Sequence, residues 1–98
     1  MNARIGRIEF QPDKADDVVG HVRENVVPKY EETDGFKGFT LLLDRWRGEG
    51  IGISFWENED AMRASDALGD QAREGAASAG SGSDRGKEHF EVAIDTMA

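Results

Sequence analysis

From Gly35 to Leu68 the chain reads Gly-Phe-Lys-Gly-Phe-Thr-Leu-Leu-Leu-Asp-Arg-Trp-Arg-Gly-Glu-Gly-Ile-Gly-Ile-Ser-Phe-Trp-Glu-Asn-Glu-Asp-Ala-Met-Arg-Ala-Ser-Asp-Ala-Leu, an order of residue types that leaves little choice of fold. Two β-rich runs, about 36–46 and 51–56, are joined by Gly48-Glu49-Gly50, the composition of a tight hairpin. In the second run Ile51, Ile53 and Phe55 alternate with Gly52, Ser54 and Trp56. Asn58 then supplies an N-cap, and Glu59 and Asp60 place negative charge at the positive end of a helix. The glycine run from Gly48 to Gly52 leads into a strand, not a helix N-terminus, so it offers no amide cradle for phosphate.

The flanks extend this unit. Residues 4–10 alternate, with Gly6, Ile8 and Phe10 on one face and Ile5, Arg7 and Glu9 on the other, which predicts a strand. From Asp13 to about Tyr30 the residues Val18, Val19, Val22, Val26 and Val27 recur at helical spacing. Valine is a mediocre helix former, so packing must hold this helix, and Pro28 is expected to kink or end it. The second helix turns Ala61, Met62, Ser65, Leu68 and Ala72 inward. Residues 75–86 have the Gly/Ser-rich composition of a flexible loop. His89 to Asp95 alternate again as a last strand. The order is βαββαβ, one domain over residues 1–98: a ferredoxin-like α+β sandwich, with a four-stranded antiparallel sheet carrying two helices on one face.

With 98 residues, 38% hydrophobic and 33% charged, the core must be economical. One sheet face can be assembled from Ile8, Phe10, Leu41, Leu43, Ile51, Ile53, Phe55, Phe90, Val92 and Ile94, and belongs under the helices. The other would hold Ile5, Arg7, Glu9, Leu42, Asp44, Trp46, Ser54, Trp56, His89 and Glu91. That set is too polar for a core and too aromatic for open solvent, which suggests a homodimer packed sheet against sheet. A net charge of −8 argues against nucleic acid or anionic lipid as partner. Without cysteine there are no disulfides, thiolate metal sites or thiol nucleophiles. No run approaches the roughly 18 apolar residues of a membrane span, and no apolar signal core opens the chain; a cytoplasmic protein is expected.

Gly35-Phe36-Lys37-Gly38-Phe39, the strand end Phe55-Trp56-Glu57-Asn58 and the following Glu-Asp-Ala-Met, set in this βαββαβ order, resemble the antibiotic-biosynthesis monooxygenase family over nearly the whole chain. The resemblance implies a dimeric α/β barrel with a pocket between helices and sheet in each protomer. Family activities include cofactor-independent oxygenation of polycyclic phenols, and haem degradation. The haem-degrading branch uses an Asn on the first strand, with a Trp and then a His on the second helix. Here Gly6 and Arg7 stand at the first place, Ser65 near the second and Gly75 near the third. No cofactor is therefore expected.

His21 falls towards the polar side of the first helix and reads as solvated. His89, beside Glu91 and opposite Arg7 and Glu9, belongs to a cluster that could tune a proton acceptor or simply form cross-strand ion pairs. His89 for proton transfer and Arg7 for anion stabilisation are the candidate catalytic residues. Trp56, Phe36, Phe39 and Phe55 are the candidates for contact with a flat aromatic ligand. The acidic groups lack metal-ligating spacing, so no metal site is expected. An oxygenase and a non-catalytic dimeric ligand-binding or interaction module are the two functional readings.

Overall fold

The expected hairpin forms, but its turn lies at residues 45–48, earlier than Gly48-Glu49-Gly50, of which the last two belong to the second strand. Strand β2 (Phe36–Asp44) ends at Asp44, residues 45–48 turn, and β3 (Glu49–Trp56) begins opposite. Asp44 accepts a hydrogen bond from the Arg47 N–H at 3.0 Å. Gly48 has φ +67°, and a Cβ there would stand 2.0 Å from the Phe10 carbonyl oxygen, so only glycine closes this turn. Trp46 projects from the turn, 93% exposed, rather than joining a sheet face.

The structure, a computed structural model, describes residues 1–97. Strand β1 (Asn2–Glu9) is followed by a 3₁₀ turn (Pro12–Lys14), α1 (Ala15–His21), a π-helical turn (Val22–Val26) and α2 (Val27–Glu31). After the hairpin come α3 (Glu59–Ala64), α4 (Asp66–Ala79) and β4 (Ser83–Glu91). The sheet order is β2-β3-β1-β4, antiparallel throughout, with the helices on one face, as the ferredoxin-like reading requires. No helix among the described residues is long and apolar enough to cross a membrane.

Pro28 does not end the first helical segment. A proline lacks an N–H and crowds the carbonyl one turn earlier. Here the turn before it widens, the Val27 N–H donating to the Val22 carbonyl, and the helix continues to Glu31. Val18, Val22 and Val26 form the buried stripe. Asn58 caps α3, its Oδ1 accepting from the Ala61 N–H at 2.8 Å.

Residues 75–86 are not a loop. Residues 75–79 complete α4, and β4 begins at Ser83. The small residues serve close packing. Ala76 and Ala77 are buried, His21 lies against Gly75, and a side chain on Gly80 would strike Phe10 and Val18.

The largest correction concerns the phase of β3 and β4. Ile8 pairs with Gly50, Gly6 with Gly52, Arg4 with Ser54 and His89 with Arg4, so Gly50, Gly52, Ser54, Trp56 and His89 face the helices. Ile51, Ile53, Phe55 and Phe90 point to the outer face with Ile5 and Leu42. Alternation fixes two sets of side chains but not which set is inside. The helix-facing Leu41 and Leu43 meet Gly52 and Gly50 across β2–β3, and small residues on one strand leave room for large ones on its neighbour. The regular strand ends at Glu91, so Val92 and Ile94 lie beyond it, with Ile94 exposed.

Candidate functional site

The inner face of β1 carries a charge. Arg4 is 3% exposed and is held by the kinked junction of α3 and α4. Its Nη1 donates to the Met62 carbonyl at 3.1 Å, Ser65 Oγ at 2.7 Å and Asp66 Oδ1 at 3.0 Å, and Nη2 donates to the Tyr30 hydroxyl at 3.1 Å. The guanidinium also lies 5.8 Å and 5.5 Å from the Tyr30 and Trp56 ring centroids. Gly69 makes this possible, since a Cβ there would fall 2.5 Å from Arg4 Cζ. Beside it, Trp56 Nε1 donates to Ser54 Oγ at 2.8 Å.

A ladder of charges continues along β4 and α4. His89 Nε2 lies 3.0 Å from both carboxylate oxygens of Asp66; because a carboxylate only accepts, Nε2 carries the proton. Lys87 and Arg73 bracket Asp70 at 2.8 Å and 2.9 Å, and Arg73 reaches on to Asp84. Burial works to raise the Asp66 carboxyl, yet hydrogen bonds from His89 and Arg4 outweigh it and hold it below its ordinary value. Asp84 is lowered against its burial by Arg73 and the Gly86 amide, and Asp70 is lowered first by Lys87 and then by Arg73.

A carboxyl held below its unfolded value stabilises the fold above that value, and the stabilisation is lost as pH falls. With 3.8 as the ordinary value, these three groups should leave the melting temperature unchanged between about pH 7 and about pH 5 and depress it below about pH 4. Melting curves across that range check this; a midpoint that holds down to about pH 3 would show the ladder to be energetically idle.

Between sheet and helices lies a cleft. Its inner part, a cavity of about 60 Å³, is bounded by Arg4, Tyr30, Ser54 and Phe39, and by Gly6, Gly52, Gly69 and Ala72, which leave it open by having little or no side chain. An adjoining cavity of about 190 Å³ shares Val26, Tyr30 and Ala72 with it and opens between the helices past His21, Asn25 and Leu68. His21 is thus a half-buried cleft residue rather than a solvated one. The Asn25 amide donates to its Nδ1 at 3.4 Å. Among the described residues no three His, Cys, Asp or Glu side chains gather as a metal site.

The structure separates the two candidate catalytic residues. His89 faces the helices, whereas Arg7 is exposed on the outer face and pairs with Glu88 at 3.1 Å. Of the candidate ligand contacts, Phe39 alone borders the inner cavity. Trp56 is 0% exposed, its face covered by Tyr30, Phe36 and Arg4. Phe36 packs on Tyr30 at 5.7 Å, and Phe55 lies on the outer face. Arg4, Tyr30 and Ser54 are the site residues that sequence reasoning misses. The available signal is Arg4 itself, a charge in phase with the core residue Ile8 on β1.

A sequence profile described as antibiotic biosynthesis monooxygenase matches residues 1–75, well over half of the chain. The chain belongs to the antibiotic biosynthesis monooxygenase family. Its relatives include the uncharacterized proteins Rv2558 and Rv2557 of Mycobacterium tuberculosis, 48% and 41% identical over 63 residues, or 64% of this chain. The match covers 27% and 28% of those proteins, so the chain spans little more than a quarter of their length. Among solved structures it is similar to the haem-degrader MhuD of Mycobacterium tuberculosis, with two haems in its active site (TM-score 0.75, 20% identity, 99% of this chain and 100% of that one). It is also similar to the ActVA-Orf6 monooxygenase of Streptomyces coelicolor with nanaomycin D bound (TM-score 0.74, 16% identity, 99% and 91%). SnoaB, a cofactor-independent oxygenase of Streptomyces nogalater, is a third (TM-score 0.64, 19% identity, 97% and 95%). At these identities the likeness is one of fold, and this family member's chemistry rests on its own cleft.

Proposed function

We propose that the chain is a monooxygenase-type enzyme that takes a small, flat, electron-rich aromatic molecule into the cleft and oxidises it with molecular oxygen, without a prosthetic group. The observation that carries this reading is the cleft itself: an inner cavity walled by hydrocarbon, opened by glycines and carrying three buried polar groups, and an outer cavity where Val26 and Leu68 stand among His21, Asn25, Lys29 and Gln71. An apolar cavity of about 150 Å³ is enough to hold benzene, so the adjoining volumes of about 190 Å³ and 60 Å³ suit one to two rings. Once bound and ionised, such a phenol supplies all four electrons that dioxygen takes up, and gives up its hydroxyl hydrogen and the hydrogen of the attacked ring carbon. One oxygen atom becomes a ring carbonyl and the other leaves as water. The protein's share is to bind, hold the ionised form and exclude bulk water. His89 then takes a positioning role, holding Asp66 against Arg4.

Haem does not fit these residues. The two volumes fall below the roughly 300 Å³ at which enclosed ligand sites usually begin, and His21 Nε2 is pressed against Gly75 while His89 is bound to Asp66. One observation favours the non-catalytic reading: among the described residues no carboxylate or imidazole lines the inner cavity to accept a proton. Oxygen uptake with 1-naphthol, a two-ring phenol with a free para carbon, separates the readings, since its quinone forms only if one oxygen atom enters the ring. Consumption above the protein-free rate, with one quinone formed per oxygen molecule, supports the enzyme. Binding without uptake supports the module.

The proposal includes a homodimer through the outer sheet face. Ile5, Ile53 and Leu42 are flanked there by Phe55 and Phe90, which stand on either side of Ala3 across β3, β1 and β4. Such a row is too apolar to be left to solvent. Sedimentation should find the unaltered chain dimeric and Ile53→Glu monomeric but folded; a monomeric unaltered chain would remove the dimer from the proposal.

A further inference from the structure

The first helical segment buries every fourth residue where a regular helix would not. Val18, Val22, Val26 and Tyr30 are all enclosed, at 0%, 6%, 5% and 4% exposure. An α-helix advances about 100° per residue, so each four-residue step overshoots a full turn by about 40°. Three such steps would swing Tyr30 about 120° away from Val18 and carry one end of the stripe towards solvent. The π-helical turn at Val22–Val26 stands at the middle step. Its closing bond, from the Val27 N–H to the Val22 carbonyl, spans five residues instead of four. The turn therefore takes up the extra residue and keeps Val22 and Val26 in line.

That line is the helical wall of the cleft. Val22, Val26 and Tyr30 border the inner cavity, and His21, Asn25, Val26 and Tyr30 border the outer one. Tyr30 is fixed by Arg4 Nη2 at 3.1 Å and by the Phe36 and Phe39 rings, each with its centroid at 5.7 Å. Pro28 is exposed and borders neither cavity. It lies two residues past the wide turn, where its missing N–H and its ring exclude the ordinary bond to the Glu24 carbonyl. An amide at position 28 would restore that bond and open a second register, one residue tighter.

We propose that Pro28 is a positioning residue for the cleft: it forbids the α-helical register of the turn before it and so fixes Val22, Val26 and Tyr30 as one wall. This role rests on the reading of the cleft as a ligand site. In the tighter register the two halves of the helix turn about 100° relative to each other, so Val22 and Tyr30 cannot both face the sheet. Ligand affinity is then set by a residue that touches no ligand, through the fraction of molecules in the wide register.

Pro28→Ala tests the role, with Pro12→Ala, at the chain's other proline, as the control. Helix register shifts run in microseconds to milliseconds, so two registers broaden the valine methyl signals, and relaxation dispersion resolves their populations. The unaltered chain and Pro12→Ala should show one register. Pro28→Ala should broaden or displace the signals of Val18, Val22 and Val26. Under nitrogen it should bind 1-naphthol more weakly by the reciprocal of the wide-register fraction, about tenfold where that fraction is about one tenth. Pro28→Ser restores the same amide and should behave alike. Stability is not the readout, because losing a proline also loosens the unfolded chain. Sharp valine signals at their unaltered positions would overturn the role. Broadened signals with unchanged affinity would overturn it too, since the wall would not set the fit. If 1-naphthol fails to bind the unaltered chain, the ligand reading of the cleft falls and takes this role with it, while the spectra still report the register.

Discussion

Trp56→Ala is expected to cost about 3–5 kcal/mol of folding stability, a large part of the 5–15 kcal/mol that holds an ordinary domain folded. Trp56 is 0% exposed and closes an aromatic cluster, meeting Tyr30 edge-on at 5.7 Å and Phe36 at 5.5 Å. Removing the indole opens a cavity beneath Arg4 that rigid strands cannot close, and it leaves Ser54 without the donor it accepts from. Trp56→Phe keeps a ring and should lose less. Urea denaturation measures both. If the alanine variant unfolds at the unaltered midpoint, the placement of Trp56 in the core is wrong. Because the residue lies under the helices, the damage should appear in the protomer's stability before it appears in any dimer.

Arg4→Met should be nearly as severe, costing about 3 kcal/mol, the lower end for breaking a buried ion pair. The lower end applies because Asp66 is partly solvated and keeps His89 as a partner. The Met62 carbonyl, Ser65 hydroxyl and Tyr30 hydroxyl all lose their cationic donor. Adding Asp66→Asn to Arg4→Met should recover part of the loss by removing the orphaned carboxylate. A double-mutant cycle in urea gives the coupling directly. Additive losses would mean that the two residues stabilise the fold independently.

Much of the architecture was legible because strands and helices advertise their period. Asn58 followed by two acids announces a helix start, Gly48 a turn, and the valine stripe a buried face. The phase of β3 was not legible. Ile51, Ile53 and Phe55 are the more apolar set, so burying them under the helices is the natural inference. It fails because this sheet has two apolar faces, and the one against the helices is partly emptied by Gly50 and Gly52. That error carried His89 and Trp56 to the wrong side and hid Arg4, whose environment exists only once α3 and α4 close over it. The stretch 75–86 misled for a related reason. Small residues signal mobility in a linker and close contact in a packed helix, and composition does not distinguish the two. Family likeness helped with the fold and little with the site, since Gly6 and Ser65 stand where the haem-degrading pattern has other residues.

The chain's two tryptophans occupy opposite extremes, Trp46 at 93% exposure in the hairpin and Trp56 at 0% against the floor of the cleft. This gives the protein two built-in optical reporters that differ in colour and access. Emission from the buried indole lies to the blue and is shielded from a dissolved quencher such as iodide. Emission from the hairpin lies to the red and is open to it. With iodide present, the surviving signal isolates Trp56, so events around Arg4 can be followed by light without attaching a dye.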